Sequence, residues 1–132
     1  MGLFDKVFKS QRDISKEEIK EVPWHALTAP EQLDKIEAES REKAIAVFKH
    51  STRCGISKMV LNNFERNFDL QQENGFRLYF LDLLANRDIS NMIADRFQVR
   101  HESPQLIIIK NGKVVHHASH QSIEVDSLRK HL

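Results

Sequence analysis

Five consecutive apolar residues, Ala44-Ile45-Ala46-Val47-Phe48, constrain the fold of this chain more than any other segment. The run has the length of a strand but none of the alternation of a half-exposed one. It therefore belongs in the middle of a sheet with helices covering both faces. Lys49-His50-Ser51-Thr52-Arg53-Cys54 ends it, and Ile56, Met59, Val60, Phe64 and Phe68 then recur every three or four residues, the spacing of an amphipathic helix that begins just beyond Cys54. Asn74-Gly75 is a turn signal, and residues 77–83 read as a second strand, completing a βαβ unit.

The remaining elements arrange themselves around that unit. Upstream, Thr28-Ala29-Pro30-Glu31 has the form of a capping box, which predicts a helix over residues 29–41. Downstream, Asp88 is a candidate cap for a helix carrying Ile89, Met92, Ile93 and Phe97 on one side and ending near Val99. Ser103-Pro104 leads directly into a strand over residues 105–110. Asn111-Gly112 is a strong hairpin signal, and residues 113–117 return. A last helix is expected from about Ser122, with Ile123, Val125 and Leu128 apolar and with Lys130 and His131 near its negative end. The order is α-βαβ-α-ββ-α, an α/β protein with a mixed central sheet flanked by helices. Residues 1–22 are expected to form a charged tail or a short helix whose Leu3, Phe4, Val7 and Phe8 offer a docking face, and residues 23–132 one domain.

Charge and cysteine usage narrow the function. Lys and Arg total 20 against 19 Asp and Glu, a net charge of +1, so no broad field recruits nucleic acid or an anionic membrane. No apolar run approaches a membrane span. Met1-Gly2-Leu3-Phe4-Asp5-Lys6 lacks the Ser or Thr of a myristoylation signal and the apolar stretch of a secretory one. A single Cys cannot form an internal disulfide, and the expected compartment is the reducing cytoplasm.

That one thiol is the centre of the chemistry. A lone Cys is commonly a small buried hydrophobe. Cys54, however, leaves a strand and enters a helix, where the unpaired N–H groups of Ile56 and Ser57 and the positive end of the helix dipole favour a thiolate. Arg53 either adds positive charge or is a solvated surface residue. Seven His are many for this length. His50, His101 and His120 flank the segments expected to converge on Cys54, whereas His116 and His117 adjoin on an edge strand, face opposite sides and read as surface residues. No zinc-ligand spacing is present, so neither a metal nor a bound cofactor is expected.

A central strand leading to a Cys at a helix start, with a Pro just before the hairpin, resembles the thioredoxin fold over residues 24–132. More narrowly, Phe48-Lys49-His50-Ser51-Thr52-Arg53-Cys54, Ile56-Ser57, Glu102-Ser103-Pro104-Gln105 and Ser119-His120 are similar to the YtxJ-type bacilliredoxin-like family, which is linked to the small thiol bacillithiol. Members of that family often carry Pro where this chain has Gly55. The resemblance implies a catalytic Cys54 assisted by Ser57, and a substrate site formed by Thr52, Arg53, Gly55, Ile56, a cis Pro104, Ser103 and His120. Dithiol members of the fold have a second Cys where Ser57 stands. Here a mixed disulfide on Cys54 must be released by an external thiol. Ser57 then either donates its hydroxyl to the thiolate or caps the helix. Ser103-Pro104 also has a plainer reading as the extended entry to a strand.

The implied activity is a monothiol thiol–disulfide oxidoreductase. Bacillithiol is its co-substrate, thiolated proteins and small thiols are its partners, and it acts as a monomer or weak dimer. Two alternatives stand beside it. Cys-Gly-Ile-Ser differs at one position from the Cys-Gly-Phe-Ser of the monothiol glutaredoxins that share an iron–sulfur cluster between subunits, although Ala118-Ser119-His120-Gln121 replaces their glutathione-holding Gly-Gly and acidic residue. The other alternative is a non-catalytic binding module on the same fold.

Overall fold

The computed structural model describes residues 22–69 and 75–131. Residues 1–21 of the tail and Asn74 of the expected Asn74-Gly75 turn lie outside the described residues. In chain order the elements are β1 (Trp24–Ala26), α1 (Gln32–Glu39), β2 (Ala44–His50), α2 (Gly55–Asn67), β3 (Phe76–Asp82), α3 (Arg87–Phe97), β4 (Gln105–Lys110), β5 (Lys113–Ser119), a 3-10 turn (His120–Ser122) and α4 (Asp126–Arg129). The sheet order is β1-β3-β2-β4-β5. Strands β1, β3 and β2 run parallel, and β4 and β5 are antiparallel to their neighbours.

Strand β2 is the axis of the molecule, and all seven of its residues are buried. Its side chains alternate between two cores. Ile45 and Val47 join Ile107, Ile109, Tyr79 and Leu81 under α1 and α3, whose Leu33, Ile36, Ile89, Ile93 and Phe97 close the first core. Ala44, Ala46 and Phe48 join Leu78, Leu106 and Ile108 under α2 and α4, with Val60, Phe64, Phe68 and Leu128 above them. In the second core Trp24 packs on Phe48, Phe64 and Phe80, with ring centroids 5.6–5.8 Å away. Its indole N–H donates to Glu65 of α2 at 2.8 Å.

Besides Asp88, which lies in the first turn of α3 while Asn86 stands at its N-cap, local expectations and structure differ in four places. First, β1 adds a three-residue parallel strand on the outside of β3, too short to show any alternation in sequence. Second, α1 starts at Gln32, whose side-chain oxygen accepts the backbone N–H groups of Thr28 and Ala29; Glu31, in the capping-box position, makes no cap. Third, α4 begins at Asp126 rather than near Ser122, because His120–Ser122 form the 3-10 turn and Ile123 is extended. Fourth, His116 is not a plain surface residue. It is half-buried, its Nε2 is enclosed with no hydrogen-bond partner among the described residues, and its ring lies 5.3 Å from that of His131. His117 is exposed as expected.

Asn111 and Gly112 turn the hairpin with φ of 53° and 76°, the left-handed conformation that Asn and Gly tolerate. The turn is bolted to the end of α1, where the Ser40 carbonyl accepts Asn111 N–H at 2.7 Å and the Ser40 hydroxyl accepts Gly112 N–H at 2.8 Å.

Candidate active site

The site lies at the carboxyl ends of the parallel strands, where β2 hands the chain to α2. His50 is the last residue of the strand, Ser51-Thr52-Arg53 form a turn closed by Cys54 N–H donating to Ser51 C=O at 3.2 Å, and Cys54 is the N-cap of α2. Its φ of −102° and ψ of 119° are extended, as an N-cap requires, and its carbonyl accepts the first helical bond from Lys58 N–H. Cys54 is half-buried and, among the described residues, its thiol makes no capping hydrogen bond. It stands at the N-terminal end of a 13-residue helix, whose first N–H groups have no intrahelical acceptor.

The neighbours divide by exposure. Thr52, Arg53 and Gly55 are open to solvent, and Ile56 is 42% exposed. Ser57, one turn on, is completely buried. Its hydroxyl oxygen accepts Ser51 N–H at 3.1 Å and lies 2.8 Å from His50 Nδ1. Ser57 thus ties the first turn of α2 to the end of β2.

The second expected segment is also in place. The Ser103–Pro104 peptide is cis, Pro104 is buried, and the Ser103 hydroxyl is enclosed without a hydrogen-bond partner among the described residues. Gln105 braces this loop from within. Its amide donates to Arg100 C=O at 2.9 Å and its side-chain oxygen accepts Glu102 N–H at 3.3 Å. His120 joins the loop through its backbone, donating N–H to Pro104 C=O at 3.1 Å, while its side chain is exposed. Its φ of 55° marks the sharp exit from β5. Between α2 and the segment after β5 runs a groove of about 610 Å³, lined by Met59, Asn62, Asn63, Arg66, Gln121 and Ile123 among others.

The three histidines flagged in the sequence separate. His50 lies beneath Ser57 with its ring against Phe80. His101 is on the opposite face of the sheet, its Nδ1 3.3 Å from Lys49 Nζ and 3.1 Å from the Ser90 hydroxyl. Lys49 is fully buried and also donates to Ser90 C=O at 3.3 Å. Burial, reinforced by the nearby Arg87 charge, lowers the Lys49 ammonium to about 8. Burial likewise lowers His101, with Lys49 and Arg87 adding to it. Sequence reasoning placed Lys49 at the trailing end of the strand and missed its burial. The signal was its adjacency to the apolar run, which carries the doubly covered region two residues further.

Comparison with known proteins agrees with this geometry. The sequence profile of the monothiol bacilliredoxin BrxC family matches residues 25–128. A solved structure described as a candidate oxidoreductase with a thioredoxin fold is 32% identical, with a TM-score of 0.67, covering 80% of this chain and 89% of its own. Malassezia sympodialis thioredoxin, at 18% identity, gives a TM-score of 0.63 and covers 86% of this chain and 90% of its own. Fasciola hepatica thioredoxin, at 20% identity, gives 0.59 and covers 81% and 94%. The two thioredoxins share the fold. Among the described residues no helix is long and apolar enough to cross a membrane. With one thiol at the head of α2 and serine in the place of a second, the chain is a thiol–disulfide oxidoreductase and belongs to the monothiol bacilliredoxin family.

Proposed function

We propose that this protein removes a low-molecular-weight thiol of the bacillithiol type from thiolated proteins in a reducing compartment such as the cytoplasm. The observation that carries the reading is the placement of the only thiol, Cys54, at the N-cap of α2, with Ser57 where a resolving cysteine would stand. The Cys54 thiolate attacks the small-thiol sulfur of the mixed disulfide. A Cys54–small-thiol disulfide forms, and the protein thiolate leaves. A second small-thiol thiolate then attacks the sulfur carried by Cys54, giving the symmetrical small-thiol disulfide and restoring the Cys54 thiolate. Each step exchanges one S–S bond for another, and no bound cofactor takes part.

The substrate surface in this reading is formed by the exposed Thr52, Arg53, Gly55 and Ile56 on one side and by Ser103, Pro104 and His120 on the other. The groove beside α2 offers Asn62, Asn63, Gln121 and the Arg66 cation to the polar part of the small thiol. The protein acts as a monomer or weak dimer.

The test uses a model protein carrying either bacillithiol or glutathione on one cysteine, followed by whole-protein mass spectrometry. The expected result is loss of the bacillithiol adduct with transient gain of its mass on this protein, and no transfer with Cys54→Ser. Equal rates for both adducts would overturn the small-thiol assignment, and no transfer from either would overturn the activity.

A further inference from the structure

Strand β4 opens at Gln105, the residue after Pro104, and the residue opposite it across the β2–β4 ladder is Lys49. Residues paired across neighbouring strands put their side chains on one face, and both of these are fully buried. Between them they hold three consecutive residues of the loop that ends in Ser103–Pro104. Gln105 takes the backbone of two, donating to Arg100 C=O at 2.9 Å and accepting Glu102 N–H at 3.3 Å. Lys49 takes the side chain of the residue between. Its Nζ lies 3.3 Å from His101 Nδ1 and, at the same distance, donates to Ser90 C=O of α3. The buried Ser90 hydroxyl is 3.1 Å from the same ring nitrogen.

The protons of this cluster are fixed by its chemistry. An ammonium has three donors and no acceptor, and Lys49, lowered to about 8, still carries its charge at neutral pH. His101 Nδ1 must then accept, which leaves the neutral ring with its one proton on Nε2. Burial and the Lys49 and Arg87 charges keep that ring neutral, against the opposing pull of Glu102 beside it in the loop. Burying an ammonium is costly. Among the described residues the hydrogen bonds of this one join three parts of the fold: β2, which carries it, α3 through Ser90, and the loop through His101.

We propose that Lys49 is a positioning residue for the oxidoreductase reaction: through His101 it clamps the loop over residues 100–104 to β2 and α3, and so sets the Ser103–Pro104 face that receives the thiolated substrate. This role deepens the function proposed above and rests on it for the identity of the substrate. The clamp acts on the loop, while the thiol of Cys54 belongs to the head of α2. Loss of the clamp therefore weakens substrate capture and leaves thiol reactivity alone.

The experiment compares variants of the full-length protein, with a model protein carrying bacillithiol on one cysteine as substrate. Lys49→Met should raise KM about tenfold, the worth of one hydrogen bond to a charged group, with kcat and the rate of Cys54 alkylation by iodoacetamide unchanged. His101→Ala should raise KM to the same extent and the double variant no further. His101→Asn, whose side-chain oxygen stands in for Nδ1 as the acceptor, should restore most of the loss. Two further measurements need no turnover. Glu102 N–H should exchange with solvent about tenfold faster in Lys49→Met than in wild type, and the ring resonances of wild-type His101 at pH 7 should show a proton on Nε2 alone. An unchanged KM in Lys49→Met, a parallel loss of alkylation rate, or a His101 proton on Nδ1 would overturn the clamp. Failure of the wild type to transfer the small thiol would instead overturn the proposed function, and the exchange and ring measurements would still decide whether Lys49 holds the loop.

Discussion

Replacing Lys49 by Met isolates the energetic consequence of a buried ammonium with no carboxylate bonded to it among the described residues. Lys49 is fully buried, and its hydrogen bonds go to Ser90 C=O and His101 Nδ1. Burial lowers it from 10.5 to about 8. Below about pH 8 the folded and unfolded chains both hold the proton, and the folded chain carries the whole cost of the buried charge. Between 8 and 10.5 the folded chain has released the proton while the unfolded chain keeps it, so the unfolded state binds more protons and stability rises with pH. The shift corresponds to about 3 kcal/mol, most of it expressed by pH 10. Lys49→Met keeps the stem and removes the charge, so titrating groups other than His101, which faces Lys49, cancel in the comparison. Urea melts followed by Trp24 fluorescence at pH 7 and pH 10 should show wild type gaining about 2 kcal/mol on the variant between the two. A difference that stays constant with pH would refute the reasoning and mean that water or rearrangement relieves the charge.

Gly55→Pro should stabilise the protein by about 1 kcal/mol in the same assay, since N1 of a helix suits Pro, Cys54 before it is already extended, and an added Cβ meets nothing within 4 Å. Phe64→Ala should cost about 3 to 5 kcal/mol in chemical denaturation, because this buried ring packs on Trp24, Phe48 and Phe68. Tyr79 is the only tyrosine, and burial with its hydrogen bond to Glu39 pushes it up to about 12. Tyrosinate absorbance should therefore appear in the folded protein well above where it appears in urea. The folded state keeps the proton longer, so stability should fall between about pH 10 and 12, and Tyr79→Phe should remove that fall.

What the sequence revealed followed from strong local signals. The unbroken run at Ala44–Phe48 required a doubly covered strand, Asn111-Gly112 required a tight hairpin, and the strand-to-helix passage around Cys54 put that thiol at a helix start. What stayed hidden depended on neighbours distant in sequence. Trp24–Ala26 becomes a strand only because β3 offers a free edge, and three residues carry no period of their own. Lys49 and His50 look like the polar end of a strand. They are buried because Ser90 and His101 on one face, and Ser57 on the other, arrive from elements 7 to 52 residues away in sequence. The shortening of α4 follows from the left-handed His120, whose N–H is held by Pro104 C=O.

The two outer strands also bear on how the sheet meets other chains. An open sheet edge is a template on which a foreign strand can add, and it invites misassembly when it is long and flat. Here one border, β1, is only three residues long. The other, β5, pairs with β4 through a register shift near Ile108 and Ile109, and it turns Lys113 and His117 outward. Kinking one margin with charge along it and truncating the other discourages unintended strand pairing.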